Sequence, residues 1–222
     1  MIKELQQQAI NFLSNKFIVV NGVKIYPKEI EVYYFKKGVY EDNSVHQNEL
    51  QQNHHNRLYI HRWGKTKNDP YKGGNYPGID FVISDEESCF HTFLLRSVVI
   101  NGELITGPHK VLEAIKVASK SANYQELEDM PIEIGNEGKL HDILLSERIN
   151  LGKTVKEEYL HAPLRFVVLD GNFCNSKYPL KEKLISDWLL SKLNNKQISK
   201  EDAIDIAREN LGYLPSSIKI TK

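Results

Sequence analysis

The chain has 222 residues, 41% of them hydrophobic and 26% charged, the make-up of an ordinary globular protein with room for one sizeable core. Its 29 basic and 29 acidic side chains cancel, which argues against a nucleic-acid binder driven by gross charge but leaves room for a local basic face. No run approaches the roughly eighteen apolar residues of a membrane helix, and Cys89 and Cys174 are spaced for neither a disulfide framework nor a metal site.

In chain order, residues 3–14 put Leu5, Ala9, Phe12 and Leu13 on one helical stripe. Residues 17–20 read as a short strand, Asn21-Gly22 as a hairpin turn, and 23–26 as the return strand. Next comes E-I-E-V-Y-Y-F-K-K-G-V-Y-E-D-N-S-V-H, residues 29–46. Ile30, Val32 and Tyr34 alternate with Glu29, Glu31 and Tyr33, the period of a strand. Residues two apart share a strand face, so Glu31 and Tyr33 project together, a carboxylate beside an aromatic ring. A polar loop then delivers His46. These groups could activate water and stack a flat ligand, or they could be a solvated edge strand with a surface histidine.

Residues 41–57 are polar and read as loop, 58–63 as a strand, and K-T-K-N-D-P-Y-K-G-G-N-Y-P-G as turns. Two further strands, 79–83 and 92–100, flank an acidic turn at 85–87. Asn101-Gly102 reverses the chain, and Gly107-Pro108 opens a helix carrying Val111, Leu112 and Ile115. Residues 119–142 are polar, with a weak strand around Ile132 and Ile134. Strands at 143–145 and 164–169 and helices at 181–193 and 202–211 follow, the last with a Ser199/Asp202 capping-box spacing. Hairpins with helices gathered at both ends predict an α+β fold, a single domain built on a mainly antiparallel curved β-sheet with flanking helices.

Residues 57–74 hold Arg57, Arg62, Lys65, Lys67 and Lys72 against Asp69 alone. With Tyr59, Trp63, Tyr71 and Tyr76 interleaved, this stretch suits phosphate contacts plus stacking or wedging, or equally a solvated turn with anchoring aromatics. Residues 120–148 are acidic by contrast, seven acids against three bases. The polar N-terminus, M-I-K-E-L-Q-Q-Q, does not read as a signal peptide, so the expectation is an intracellular protein.

Four pieces in order resemble the alkylpurine (3-methyladenine) DNA glycosylase family. They are A-I-N-F-L-S-N-K-F-I-V (9–19), I-E-V-Y with E-D-N-S-V-H (30–46), F-L-L-R-S-V-V-I-N-G-E-L-I-T-G-P-H-K-V-L-E-A-I (93–115), and S-E-R-I-N-L-G-K (146–153) with A-P-L-R-F-V-V-L-D-G-N (162–172). The resemblance covers residues 9–176 and implies a glycosylase-like α+β domain over 1–176, with 177–222 a helical extension packed on it. It implies excision of alkylated or deaminated purines by base flipping, with neither metal nor cofactor. Carried over, Glu31 would activate water, and Arg96 would help position the water and the abasic-side phosphate. Tyr33 and His46 would form the base pocket. Duplex DNA carrying a damaged purine would be the partner, and the expected protein is a monomer, cytoplasmic and nucleoid-associated or otherwise intracellular.

The sequence departs from that pattern where the family has an asparagine that screens purines. Asp80 stands there, an acceptor without a donor, and a second carboxylate close to Glu31 could raise one pKa. The wedge into the duplex would be Trp63 or Tyr76, with Arg62, Lys65, Lys67 and Lys72 as DNA contacts. Alternatives are a non-catalytic nucleic-acid-binding relative and an N-glycoside hydrolase acting on another nucleobase substrate. A metal nuclease on Asp80 and Glu103 lacks a Glu-x-Lys pairing, and a zinc site on His46, His54, His55 and His61 has no cysteine pair to support it.

Overall fold

The computed structural model describes residues 1–48, 51–52, 55–61, 77–84, 88–138, 141–169 and 181–219. Helix α1 (Ile2–Asn15) leads into strand β1 (Lys16–Val20). Asn21 and Gly22 then turn the chain with φ of 47° and 78°, the left-handed pair that a tight hairpin requires. The return strand β2 (Val23–Lys36) does not stop at Tyr26; it runs straight through the glutamate-tyrosine stretch. Short β3 (Tyr40–Glu41) folds back on its end.

Strands β4 (Leu58–His61), β5 (Gly78–Val82), β6 (Cys89–Ile100) and β7 (Glu103–Thr106) come next, followed by helices α2 (Pro108–Ala118) and α3 (Tyr124–Asp129). The chain continues with β8 (Ile132–Asn136), β9 (Asp142–Ser146), helix α4 (Glu157–Leu160) and β10 (Arg165–Leu169). Helices α5 (Lys181–Asn194), α6 (Lys200–Leu211) and α7 (Ser216–Lys219) close it. All pairings among the described strands are antiparallel, and they form one sheet. The expected α+β class is the observed one.

The sheet curves because its two long strands change partners half-way. On one edge, β2 pairs with β1 at Val23–Ile25 and then with β10 at Glu29–Glu31. The far edge of β6 pairs with β7 at Ser97–Ile100 and with β5 at Thr92–Leu94. Where these branches part, the β2–β6 register slips and recovers: Pro27 faces Val98, Glu29 faces Ser97, Ile30 faces Leu95. Lys28 and Arg96 are thus extra residues in their strands, and the two bulges cancel. Bulges bend strands and re-aim side chains. This one turns Arg96 and Ser97, neighbours in sequence, to the same face as Glu29 and Glu31.

One sheet face is apolar. Ile30, Val32, Phe81, Phe93, Leu95 and Phe166 pack there against Phe12 and Leu13 of α1 and Val111, Leu112 and Ile115 of α2. Phe12 stacks on Phe81 at 5.2 Å and meets Phe93 edge-on at 5.1 Å. The other face carries Glu29, Glu31, Tyr33, Arg96, Asp80 and Arg165, since Arg165 lies opposite Glu31 and Asp80 opposite Leu94, itself opposite Glu31. The C-terminal helices pack on that second face, with Leu184, Ile185 and Leu189 of α5 joining Leu144 and Val167. Ser199 and Asp202 cap α6 reciprocally, at 3.0 Å and 3.2 Å, so the shorter acid closes the box.

Residues 119–142 were expected to hold only a weak strand, yet α3 forms there. Asn123 caps it by accepting from the Glu126 N–H, and Leu127 anchors it in the core. Glu128 accepts the N–H of Ile60 at 2.6 Å, satisfying a donor on strand β4 at the end of the sheet. Cys89 is buried, and Cys174 lies outside the described residues. No described helix is long and apolar enough to cross a membrane.

Candidate active site

Glu31 sits at the branch point, its side chain wholly enclosed. Its Oε1 accepts the backbone N–H of Ile149 at 2.9 Å. Its Oε2 accepts the Tyr33 hydroxyl at 3.0 Å and Arg96 Nη1 at 3.3 Å. A carboxylate has about four acceptor positions, so these donors leave one open. The sequence reading of a solvated charged edge strand is corrected here: β2 is interior to the sheet, and its charges are buried because partners from distant strands meet them.

Arg96 bridges two acids, its Nε lying 3.2 Å from Glu29 Oε1 while its Nη1 serves Glu31. Those acids raise the Arg96 pKa against the opposing effect of burial. Glu29 Oε1 also accepts Arg165 Nε at 2.8 Å and Nη2 at 2.7 Å, and its Oε2 accepts the Ser97 hydroxyl at 2.8 Å. Two acids and two arginines thereby share one buried network, in which each charge has an opposite partner.

A cavity of about 1110 Å³ opens on this face, at or above the upper end of the roughly 300–1,000 Å³ typical of small-molecule sites. Tyr33, Arg96 and Ile149, the three donors to Glu31, all line it, so the carboxylate stands directly behind the wall. His46, His61 and Asp80 form another part of the lining, and Gly107–Lys110 at the start of α2 a third. The structure thus gathers Arg96, Tyr33, His46 and Asp80 around one space, with Glu31 behind its wall. Asp80 lies two strands from Glu31, with Leu94 between them in register. Asp80 accepts the Thr92 hydroxyl at 2.8 Å.

Burial, then the neighbouring Glu31, raises the Tyr33 pKa well above its ordinary value, so the phenol stays a donor. Arg148 lies over the Tyr33 ring, 4.8 Å from its centre, which leaves a flat ligand the other face or the edge. His46 is open to the cavity, and its ring meets His61 edge-on at 5.2 Å. Loss of hydration within the cavity, then His61, lowers the His46 pKa from 6.5 to about 4 despite an opposing pull from Asp80. An NMR titration is expected to find that depressed midpoint. A lowered imidazole pKa means protons favour the unfolded chain. The contribution of His46 to stability is therefore complete above pH 6.5 and lost as pH falls toward 4. A midpoint near 6.5 would show that the ring is fully hydrated.

Sequence reasoning missed two arginines that hold this site. Arg148 donates to Val32 O at 3.2 Å, Ser44 Oγ at 3.1 Å and Tyr159 O at 3.0 Å, and pairs with Asp42 at 2.7 Å. It ties the loop that bears His46 to the sheet. Arg165, in the apolar run R-F-V-V-L, is fully buried. An arginine inside such a run is the signal that could have found it, since it requires a buried acid. His61, weighed as part of a histidine-rich zinc cluster, instead ends β4 beside Asp80 at 3.3 Å. His55 Nδ1 meets the carbonyls of Ile83 and Ser84, and His54 lies outside the described residues. Among the described residues no three His, Cys, Asp or Glu side chains converge to hold a metal, and Glu103 is exposed on β7. Arg62, Trp63, Lys65, Lys67, Lys72 and Tyr76 also lie outside the described residues, though His61 and Pro77, which flank that stretch, both line the cavity. Compared with known proteins, the chain matches no family model and no curated sequence.

Proposed function

We propose that the protein is a monofunctional DNA N-glycosylase that hydrolyses the bond between a damaged purine and its sugar. One observation carries the reading: two groups on the cavity wall, the Tyr33 hydroxyl and the Arg96 guanidinium, converge on a single enclosed carboxylate oxygen of Glu31. The ordered resemblance to the alkylpurine glycosylases points the same way. In this reading a water takes the open acceptor position of Glu31. The carboxylate removes its proton as the oxygen attacks C1′ of the sugar. The C1′–N bond breaks with its electron pair going to the base, and negative charge at Glu31 favours the oxocarbenium character of the sugar. Tyr33 and His46 would flank the flipped base, and residues 62–76, with Arg62, Lys65, Lys67 and Lys72, would meet the phosphates.

A second reading, a nucleobase-binding protein that does no chemistry, is favoured by the complete enclosure of Glu31. Duplexes carrying 3-methyladenine, 7-methylguanine or hypoxanthine, incubated with protein and then treated with alkali, separate the two. Alkali-dependent breaks that fall about 100-fold or more in Glu31→Gln are expected, the range of general-base loss. Salt-dependent binding with no breaks at any lesion would leave the second reading standing.

A further inference from the structure

The two oxygens of Glu31 are filled unequally. Tyr33 and Arg96 both donate to Oε2, at 3.0 Å and 3.3 Å, which occupies both of its acceptor positions. Oε1 has one donor, the Ile149 N–H at 2.9 Å. The open position of the carboxylate is therefore on Oε1, and the Ile149 N–H decides which side of that oxygen it takes. Tyr33 and Arg96 are held by the long strands β2 and β6. Ile149 belongs to the loop between β9 and α4, whose geometry no strand ladder fixes.

That loop is tied at both ends. Arg148 is anchored to Asp42, Val32, Ser44 and Tyr159. On the far side Asn43 donates to Thr154 O at 2.8 Å and accepts the Lys156 N–H at 3.1 Å. Between these ties the chain turns at Asn150, whose φ of 61° lies in the left-handed region. Gly152, two residues on, does not adopt that conformation. Glycine and asparagine enter the region readily, alanine at a cost, and β-branched residues hardly at all. The Asn150 side chain is exposed along the cavity, while its backbone carries the turn that follows Ile149.

We infer that Asn150 is a positioning residue: its left-handed backbone aims the Ile149 N–H at Glu31 Oε1 and so fixes where the open position of the carboxylate points. The inference deepens the hydrolytic reading of the site and rests on it for the water that takes that position. It gives Asn150 no contact with substrate. A group that only orients a general base changes the rate within the bound complex and leaves ground-state binding alone.

Asn150→Gly, Asn150→Ala and Asn150→Val, set beside the wild-type chain and Glu31→Gln, form the test. The proton resonance and hydrogen exchange of the Ile149 amide, read by NMR, report the contact. The kcat and KM for excision of 7-methylguanine report its consequence, and thermal melting checks that each variant is folded. Asn150→Gly is expected to stay within about threefold of the wild type in exchange and in kcat. Asn150→Val is expected to speed Ile149 exchange about tenfold or more. It should also move the Ile149 resonance in the same direction as Glu31→Gln, and lower kcat about tenfold with KM unchanged. Asn150→Ala falls between the two and carries the test if Asn150→Val does not fold. An Ile149 amide that behaves as in the wild type throughout the series overturns the inference. So does an Asn150→Gly as impaired as Asn150→Val, which would make the side chain the working part. A raised KM with kcat intact, or an unchanged kcat despite a displaced amide, overturns it as well. No strand breaks at any lesion in the wild type, with the amide series as expected, sinks the glycosylase reading and leaves the positioning of Glu31 by Asn150 standing.

Discussion

Replacing Arg165 with methionine is expected to lower the free energy of unfolding by about 3–5 kcal/mol, the usual cost of breaking a buried ion pair. The reason is what the substitution leaves behind. Glu29 Oε1 loses bonds at 2.8 Å and 2.7 Å and keeps only Arg96 Nε at 3.2 Å, while Ser97 still serves Oε2. Water has little access to replace the lost donors, because Glu29 is 1% exposed and Arg165 is fully buried. Methionine fills part of the arginine volume, so cavity formation contributes less than the stranded charge. Urea unfolding of Arg165→Met, Glu29→Gln and the double variant measures it. The double variant is expected to lose less than the sum of the two, since each single change already removes the pairing. A loss below about 1 kcal/mol for Arg165→Met, the worth of an exposed pair, would mean that Arg96 alone neutralises Glu29.

The same network explains what could be read from sequence. Period-two alternation placed Glu31 and Tyr33 on one face, and a direct hydrogen bond joins them. The elements around them were legible for local reasons: Asn-Gly turns, a Pro-started helix and a Ser/Asp cap are signals carried within a few residues. Whether the Glu31 face is wet or buried was not legible. That depends on Arg96 and Arg165, which lie 65 or more residues away in sequence. It also depends on a bulge whose two extra residues, Lys28 and Arg96, can be located only once β2 and β6 are paired. His61 and Asp80 were each visible as single residues. Their meeting required β4 and β5 to align Tyr59 with Asp80 and His61 with Gly78.

Arg148→Met tests whether the cavity is held open by design of the fold or merely left over from it. Arg148 and Asp42 are both fully buried, so a loss of about 3–5 kcal/mol is expected here as well. The site should respond differently, however. Arg148 joins Val32 of β2, Ser44 of the loop and Tyr159 of α4, and it also covers the Tyr33 ring. Without it the loop from Asp42 to His46 loses its tie to the sheet, and His46 moves away from the poorly hydrated cavity wall and the His61 ring that keep its imidazole neutral. The His46 titration midpoint is then expected to climb from about 4 back toward 6.5. In Arg165→Met, which destabilises the chain from the far side of Glu29, the midpoint should stay low. Two variants of similar stability loss are thus separated by one imidazole. If His46 titrates alike in both, the loop is positioned by something other than Arg148, and the reading of that arginine as the clamp on this wall of the cavity fails.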